Sequence, residues 1–357
     1  MQNPFSTTYS KLPEHTYIST LESGKIIENF SYDSPSEAVY KITGLRGSGK
    51  TVLLSRVQEE FCSEENKEKG WIVYTLNPSR DMLKQLAASL VKESFINDPT
   101  SRKNINLSAS IMGTGAGIGI SSLQDDSLFD VGVEIKEMLK TMQNKGKKLM
   151  ICVDEVSKTP AMVEFALEFG SWLVSGFPVY FVCTGLYENI QELGNTKNLT
   201  FFRRGKTVAT QPLNVIRMTE TYKSKLSIDT DQAKKLADMT KGYAFAFQML
   251  GSLYFTDSKT KSIQEIEEEL KEELFSYSYE KVWEELGDED KRLARLLVGK
   301  KEFKRAEILD LMGDKAPNYS VYRDRLLKRG VIVARQAYIS LNPPYFDEFI
   351  KEYGMIE

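Results

Sequence analysis

Histidine and cysteine are scarce in this chain, with one of the former (His15) and three of the latter (Cys62, Cys152 and Cys183) among 357 residues. A Ser-His-Asp triad or a histidine-rich metal site would have to rest on His15 alone, in a polar N-terminal stretch, so an incidental surface residue is expected there. The cysteines fit neither a disulfide framework nor a zinc spacing, and Cys152 and Cys183, inside apolar runs, are expected to act as small buried hydrophobes. No segment approaches the roughly 18 uninterrupted apolar residues of a membrane span. Residues 1–10 also lack the basic and apolar regions of a secretion signal, so a cytoplasmic protein with no membrane partner is expected. A one-signed charge is missing too: 47 basic against 50 acidic residues leave a net charge of −3, which excludes a strongly basic nucleic-acid coat. Any nucleic-acid contact must therefore come from a local patch.

What is present points to two or three domains at about 150 residues each. From residue 36 to about 210, short apolar runs alternate with helical patterns, the signature of βαβ units around a parallel sheet. The runs Ala38 to Thr43, Trp71 to Leu76, Leu149 to Val153 and Val179 to Cys183 are rich in β-branched and aromatic residues and too short for ordinary helices, so they read as buried strands. Apolar spacings of three and four predict helices over Thr51 to Phe61, Asp81 to Val91, Val131 to Met142 and Ala161 to Leu173. Between Asn104 and Ser122, four alternating glycines (Gly113, Gly115, Gly117, Gly119) break the G-x-G-x-x-G pattern at its third glycine and read as a flexible hairpin or surface insertion. After Pro212 the period is helical throughout: Val215 to Leu226, Thr230 to Met239, Phe245 to Tyr254 and Ile263 to Leu286. The acidic run from Ser262 to Leu286, nine glutamates against two lysines, reads as a solvated helix face. The last segment predicts helices at Asp290 to Leu297, Arg305 to Met312 and Tyr319 to Lys328, then β-rich runs at Val331 to Ala334 and Ala337 to Leu341. Three helices and a hairpin make a winged-helix pattern.

Chemistry concentrates in two motifs. Gly44-Leu45-Arg46-Gly47-Ser48-Gly49-Lys50-Thr51 matches G-x-x-x-x-G-K-[ST] in full, with an apolar run entering it and an amphipathic helix leaving it. Glycines let backbone wrap a phosphate, the amides of Gly47 to Thr51 point at the anion, and the helix adds its positive end. Lys50 then neutralises β/γ oxygens, Thr51 offers its hydroxyl to Mg²⁺, and Arg46, Ser48 and Val52 complete the expected nucleotide contacts with Gly44, Gly47 and Gly49. The second motif, Leu149-Met150-Ile151-Cys152-Val153-Asp154-Glu155, is an apolar run ending in two carboxylates. Asp154 can serve Mg²⁺ while Glu155 orients or deprotonates an attacking water. No N-K-x-D follows to read a guanine base, so ATP is the expected nucleotide. A third run, Val179 to Gly185, places Thr184 at a strand tip, where it can face a γ-phosphate or merely cap the next helix.

These elements, in this order, resemble the AAA+ and related STAND nucleoside triphosphatases, and more narrowly the prokaryotic ATPases with a C-terminal winged helix, similar in layout to archaeal Orc/Cdc6-like proteins. The resemblance extends over nearly the whole length, including Asn3-Pro4-Phe5, Thr184-Gly185-Leu186, Phe201-Phe202-Arg203-Arg204 before Pro212-Leu213, Gly242-Tyr243-Ala244-Phe245 and Tyr319 to Leu326. It implies an α/β P-loop NTPase parallel sheet core (1–211), a helical lid (212–286) and a winged-helix domain (287–357). It also implies a slow ATPase switch in which Thr184 senses the γ-phosphate, Arg203 or Arg204 serves a neighbouring subunit's phosphate, and adenine lies near Tyr17 and Ile18. Two departures stand out: Ala244 follows Tyr243 where members of this group often carry a proline after the lid-turn glycine, and Gly242 to Gly251 contains no arginine.

The third helix of the winged-helix pattern carries Arg323, Arg325, Lys328 and Arg329 against Asp324, a local charge of +3 suited to duplex DNA. Docking of a protein partner, or self-association, is the alternative, with a signalling scaffold that hardly turns over as the rival function. No D-x-[ED]-x-K-like cluster supports nuclease chemistry.

Overall fold

The computed structural model describes residues 2–7, 12–97 and 130–355, so the glycine-alternating stretch from Asn104 to Ser122 lies outside the described residues. The chain forms two compact units, Ile26–Ile42 with Arg56–Val208, and Met1–Lys25 with Thr43–Ser55 and Ala209–Glu357. No helix among the described residues is long and apolar enough to cross a membrane.

The first unit is built on a five-stranded sheet of β1 (Val39–Thr43), β2 (Trp71–Thr75), β3 (Lys148–Val153), β4 (Val179–Gly185) and β5 (Lys206–Ala209), in the order β2-β3-β4-β1-β5. Strand β3 pairs in parallel with both neighbours, Leu149 standing opposite Ile72 and Val179. Its residues from Leu149 to Val153 are all buried, which is why the sequence shows a continuous apolar run rather than alternation. The helices include α1 (Leu21–Ser31), α2 (Lys50–Phe61), α3 (Met82–Leu90), α4 (Val131–Asn144), α5 (Pro160–Val174), α6 (Tyr187–Gly194) and α7 (Thr200–Arg204). Three begin where the sequence supplies a cap: Asp81 accepts from the Lys84 amide, Asp130 from Gly132, and Thr159 from Met162 with Pro160 next in line. Cys152 and Cys183 are buried as expected, burial pushing the Cys152 thiol up to about 12, and Cys62 is exposed.

Several elements of this unit, α6 and α7 included, escape the sequence patterns. Helix α1 is one; its Phe30 is fully buried with ring centroids 5.4 Å from Tyr40, 5.9 Å from Phe61 and 5.4 Å from Tyr180, all edge-to-face. Another is β5, an edge strand whose residues Lys206, Thr207 and Ala209 are exposed, so no apolar run announces it.

The second unit contains α8 (Val215–Leu226), α9 (Thr230–Met239), α10 (Ala244–Asp257) and α11 (Ile263–Leu274), with side-chain caps from Asn214, Asp229 and Ser262, the last in a reciprocal box with Glu265. The single helix expected from Ile263 to Leu286 is interrupted: a π-helical turn occupies Phe275–Tyr279 before one more α-turn at Glu280–Glu284. The widened turn lets Phe275, Ser278 and Tyr279 all face inward, and the Tyr279 hydroxyl donates to the Pro344 carbonyl at 2.5 Å. There follow α12 (Asp288–Leu296), β6 (Phe303–Lys304), α13 (Arg305–Met312), α14 (Tyr319–Arg329), β7 (Ile332–Arg335), β8 (Tyr338–Leu341) and α15 (Phe346–Glu352). The antiparallel order β6-β8-β7 completes a winged-helix arrangement. Strand β6 has only two residues, too few to show a period, and α15 adds Phe346, Phe349 and Ile350 to the core.

Phe30→Ala should lower the unfolding free energy by about 3–5 kcal/mol, the cost of emptying a fully buried aromatic site. Urea unfolding checks this, and a loss below about 1 kcal/mol would show that the aromatic cluster does not hold α1.

Candidate functional site

Strand β1 runs into the glycine loop, and α2 begins at the motif's own lysine. Gly47 and Gly49 adopt left-handed φ values of +73° and +89°, and a Cβ on Gly47 would stand 2.4 Å from the Tyr243 hydroxyl. The Ser48 amide donates to the Leu45 carbonyl at 3.2 Å, and the first helical bond of α2 runs from Leu53 to Gly49 at 2.9 Å. The loop therefore ends on the positive pole of a helix, as an anion site requires. Lys50 Nζ donates to the carbonyls of Gly44 and Leu45, both at 3.0 Å, which holds its charge over the loop. Beside it, Thr210 joins the cradle: its amide donates to the Thr43 carbonyl at 2.8 Å and its hydroxyl to Ser48 Oγ at 2.8 Å. Residue 44 must be glycine here, since a Cβ would meet Thr210 Oγ1 at 2.0 Å.

The lid closes on the loop through different chemistry from an arginine. The Tyr243 hydroxyl donates to the Arg46 carbonyl and shares a 2.6 Å hydrogen bond with Ser278 Oγ, while the Phe245 amide donates to the Gly47 carbonyl at 3.0 Å. Burial raises the Tyr243 phenol well above its ordinary range, which keeps it a donor. Arg46 reaches Glu285 Oε1 with Nε at 2.9 Å and Nη2 at 2.7 Å. The acidic run read as a solvated face thus supplies the partner of the loop arginine. A cavity of about 240 Å³ opens in this unit, lined among others by Gly44, Ser48, Thr210, Lys241, Tyr243 and Asn342. Tyr17 and Ile18 do not line it: Ile18 is buried in the core and the Tyr17 hydroxyl lies 3.4 Å from Ser23 Oγ. Val52 is half-buried in the first turn of α2.

In the other unit, β3 ends at a tightly organised acidic tip. The Thr184 hydroxyl donates to Asp154 Oδ1 and accepts the Glu155 amide at 2.9 Å, and its carbonyl accepts the Val156 amide at 2.8 Å. Glu155 takes a left-handed φ of +55° and is exposed. Thr184 does not cap the next helix, whose N-cap is Leu186 without a side-chain bond. No group of three or more His, Cys, Asp or Glu able to hold a metal occurs among the described residues. The Thr51 hydroxyl and the Asp154 carboxylate are each oxygen donors of the kind magnesium takes alongside phosphate oxygens and water.

Arg203 and Arg204 end the short helix α7, exposed and without an ion-pair partner among the described residues. The winged-helix cations are arranged otherwise. Arg325 grips buried Asp290 with Nε at 3.0 Å and Nη2 at 2.7 Å, and Arg329 Nη1 lies 3.5 Å from the same carboxylate and 3.2 Å from the Glu285 carbonyl. Lys328 pairs with Asp324 at 2.6 Å, and Arg323 is half-buried. Sequence spacing marked a basic helix face; it had no means of showing that Asp290, 35 residues earlier than Arg325, is buried beneath it.

No family model matches the sequence, and no curated protein matches it. Solved structures do. A Walker-type ATPase of Pyrococcus abyssi superposes with a TM-score of 0.61 at 13% identity, over 92% of this chain and 94% of that one. The ORC2 protein of Aeropyrum pernix, described as ADPNP–ADP complexes, superposes with a TM-score of 0.58 at 11% identity, over 97% and 96% of the two chains. The fold is the one shared with these two structures, with the parallel sheet core and C-terminal winged-helix arrangement expected.

Tyr243→Phe should cost about 1–3 kcal/mol, because the Arg46 carbonyl loses a buried donor and the Ser278 hydroxyl loses its acceptor. Thermal unfolding of the two proteins measures it, and an unchanged midpoint would mean the tyrosine does not anchor the lid to the loop.

Proposed function

We propose that the protein is a slow, Mg²⁺-dependent ATPase that works as a switch, its nucleotide state repositioning the winged-helix domain. The observation that carries this reading is the strand order, in which β4 lies between the strand that runs into the glycine loop and the strand that ends in Asp154 and Glu155. Lys50 and the loop amides bind the phosphates, and Thr51 and Asp154 are the groups that would hold Mg²⁺, which screens the charge that develops on the γ-phosphate. Glu155, turned outward at the strand tip, positions and deprotonates the attacking water, while the Thr184 hydroxyl fixes both acids. Arg203 or Arg204 serves as the finger for ATP bound by a second copy. We divide the chain into an ATPase domain (1–211), a lid (212–286) and a winged-helix domain (287–357), acting in the cytoplasm where ATP and magnesium are supplied.

The winged-helix domain meets duplex DNA in this reading, with Arg323 and Lys328 as the phosphate contacts. A second reading, in which this domain docks a protein partner on a scaffold of little turnover, is favoured by the engagement of Arg325 and Arg329 with Asp290.

Glu155→Gln should retain ATP and lose on the order of 10²–10⁴ in phosphate release; wild-type turnover in that variant would remove the assigned base. If two phosphates are neutralised, DNA affinity should fall with salt at a logarithmic slope of about −1.8. Binding that ignores salt, or no binding with either ADP or a non-hydrolysable analogue, would establish the protein-docking reading instead.

A further inference from the structure

Lys41 lies at the centre of β1, three residues before Gly44, where every residue of the strand is buried and an apolar side chain would be expected. The lysine itself is only 3% exposed. Among the described residues its ammonium meets no carboxylate. Instead it donates to the Phe202 carbonyl at 2.7 Å and the Arg203 carbonyl at 3.3 Å, and it stands 5.3 Å from the centre of the Phe202 ring. Burial lowers its pKa from the ordinary lysine value. A buried cation is costly unless its bonds are well made, so these two carbonyls are what retain it in the core.

Those carbonyls belong to the last turn of α7. A helix of five residues is marginal on its own, and its final carbonyls have no partners within the helix. Lys41 supplies both a donor and a positive charge at that pole. The next residue, Gly205, is pressed against the same strand: a Cβ there would fall 2.6 Å from Val39 Cγ1. Phe202 is fully buried between these two ties. One strand thus fixes the backbone on either side of Arg203 and Arg204, while both guanidiniums stay exposed. A turn meant only to connect α7 to β5 could leave its carbonyls to water; here a core position is given to a lysine that holds them.

We propose that Lys41 is a positioning residue for the Arg203–Arg204 pair, holding the turn from which these side chains reach the triphosphate bound by a second copy of the chain. The proposal rests on reading one of the two arginines as the finger. The strand that ends in one copy's own phosphate loop also sets where that copy's arginines stand. Displacement of a catalytic group by about 1 Å costs on the order of 10² in rate, and Lys41→Met is expected to lose about that much.

The test mixes full-length variants. Lys41→Met should bind a fluorescent ATP analogue as the wild type does, yet hydrolyse ATP on the order of 10² more slowly. Lys50→Ala, unable to hold ATP but with its arginines in place, should restore hydrolysis when mixed with Lys41→Met, several-fold above the sum of the two alone. Arg203→Ala and Arg204→Ala are run in the same way. If neither arginine variant loses turnover, the finger reading fails and the proposal with it. If an arginine variant is defective and rescued while Lys41→Met keeps full turnover, only the role of Lys41 falls. Loss of nucleotide binding in Lys41→Met, or its failure to recover in the mixture, assigns the lysine to core stability and also overturns the proposal.

Discussion

A phosphate cradle needs its amides for the anion, so its carbonyls must find donors elsewhere, and much of the second unit is arranged around that demand. Four consecutive carbonyls are satisfied: Gly44 and Leu45 by Lys50, Arg46 by Tyr243, and Gly47 by the Phe245 amide. Each would cost about 1–3 kcal/mol if buried without a donor. The lid is therefore bound to the loop through backbone, and whatever changes the loop's conformation must change the environment of Tyr243. Thr210 and Glu285 extend the same linkage, one to the Ser48 hydroxyl and the other to the Arg46 side chain.

Charge is handled in a consistent way across the molecule. Arg46, Arg325 and Arg329 look from the sequence like groups awaiting an anionic ligand, and each has a carboxylate within the chain instead. Asp290 is almost wholly buried beneath two guanidiniums, which fixes α14 against α12 and removes half of the expected basic face. Arg203 and Arg204 differ in kind, exposed at the end of a short helix and without an internal acid among the described residues.

The parts legible in the sequence are those with a strong local rule. The glycine loop is spelled out residue by residue, three of the five strands (β1, β3 and β4) are buried nearly throughout and so read as apolar runs, and the lid helices carry both period and caps. What escaped depends on tertiary context. Strand β5 is an exposed edge and β6 has two residues, so neither has a pattern to find. The π turn at Phe275 exists because three inward-facing residues share it. Thr210, Glu285 and Lys41 act on backbone or side chains 162, 239 and 161 positions away, a separation at which spacing arguments say nothing. Thr184 stands at a strand tip legible in the sequence, but the bonds by which its hydroxyl joins Asp154 to the Glu155 amide are not.

The proposed switch requires the glycine loop to hold a nucleoside triphosphate through Lys50. Calorimetric titration of magnesium and ATP into the full-length protein and into Lys50→Ala addresses this most directly. Saturable heat from the first and none from the second is the predicted result; equal heats, or none from either, would contradict it.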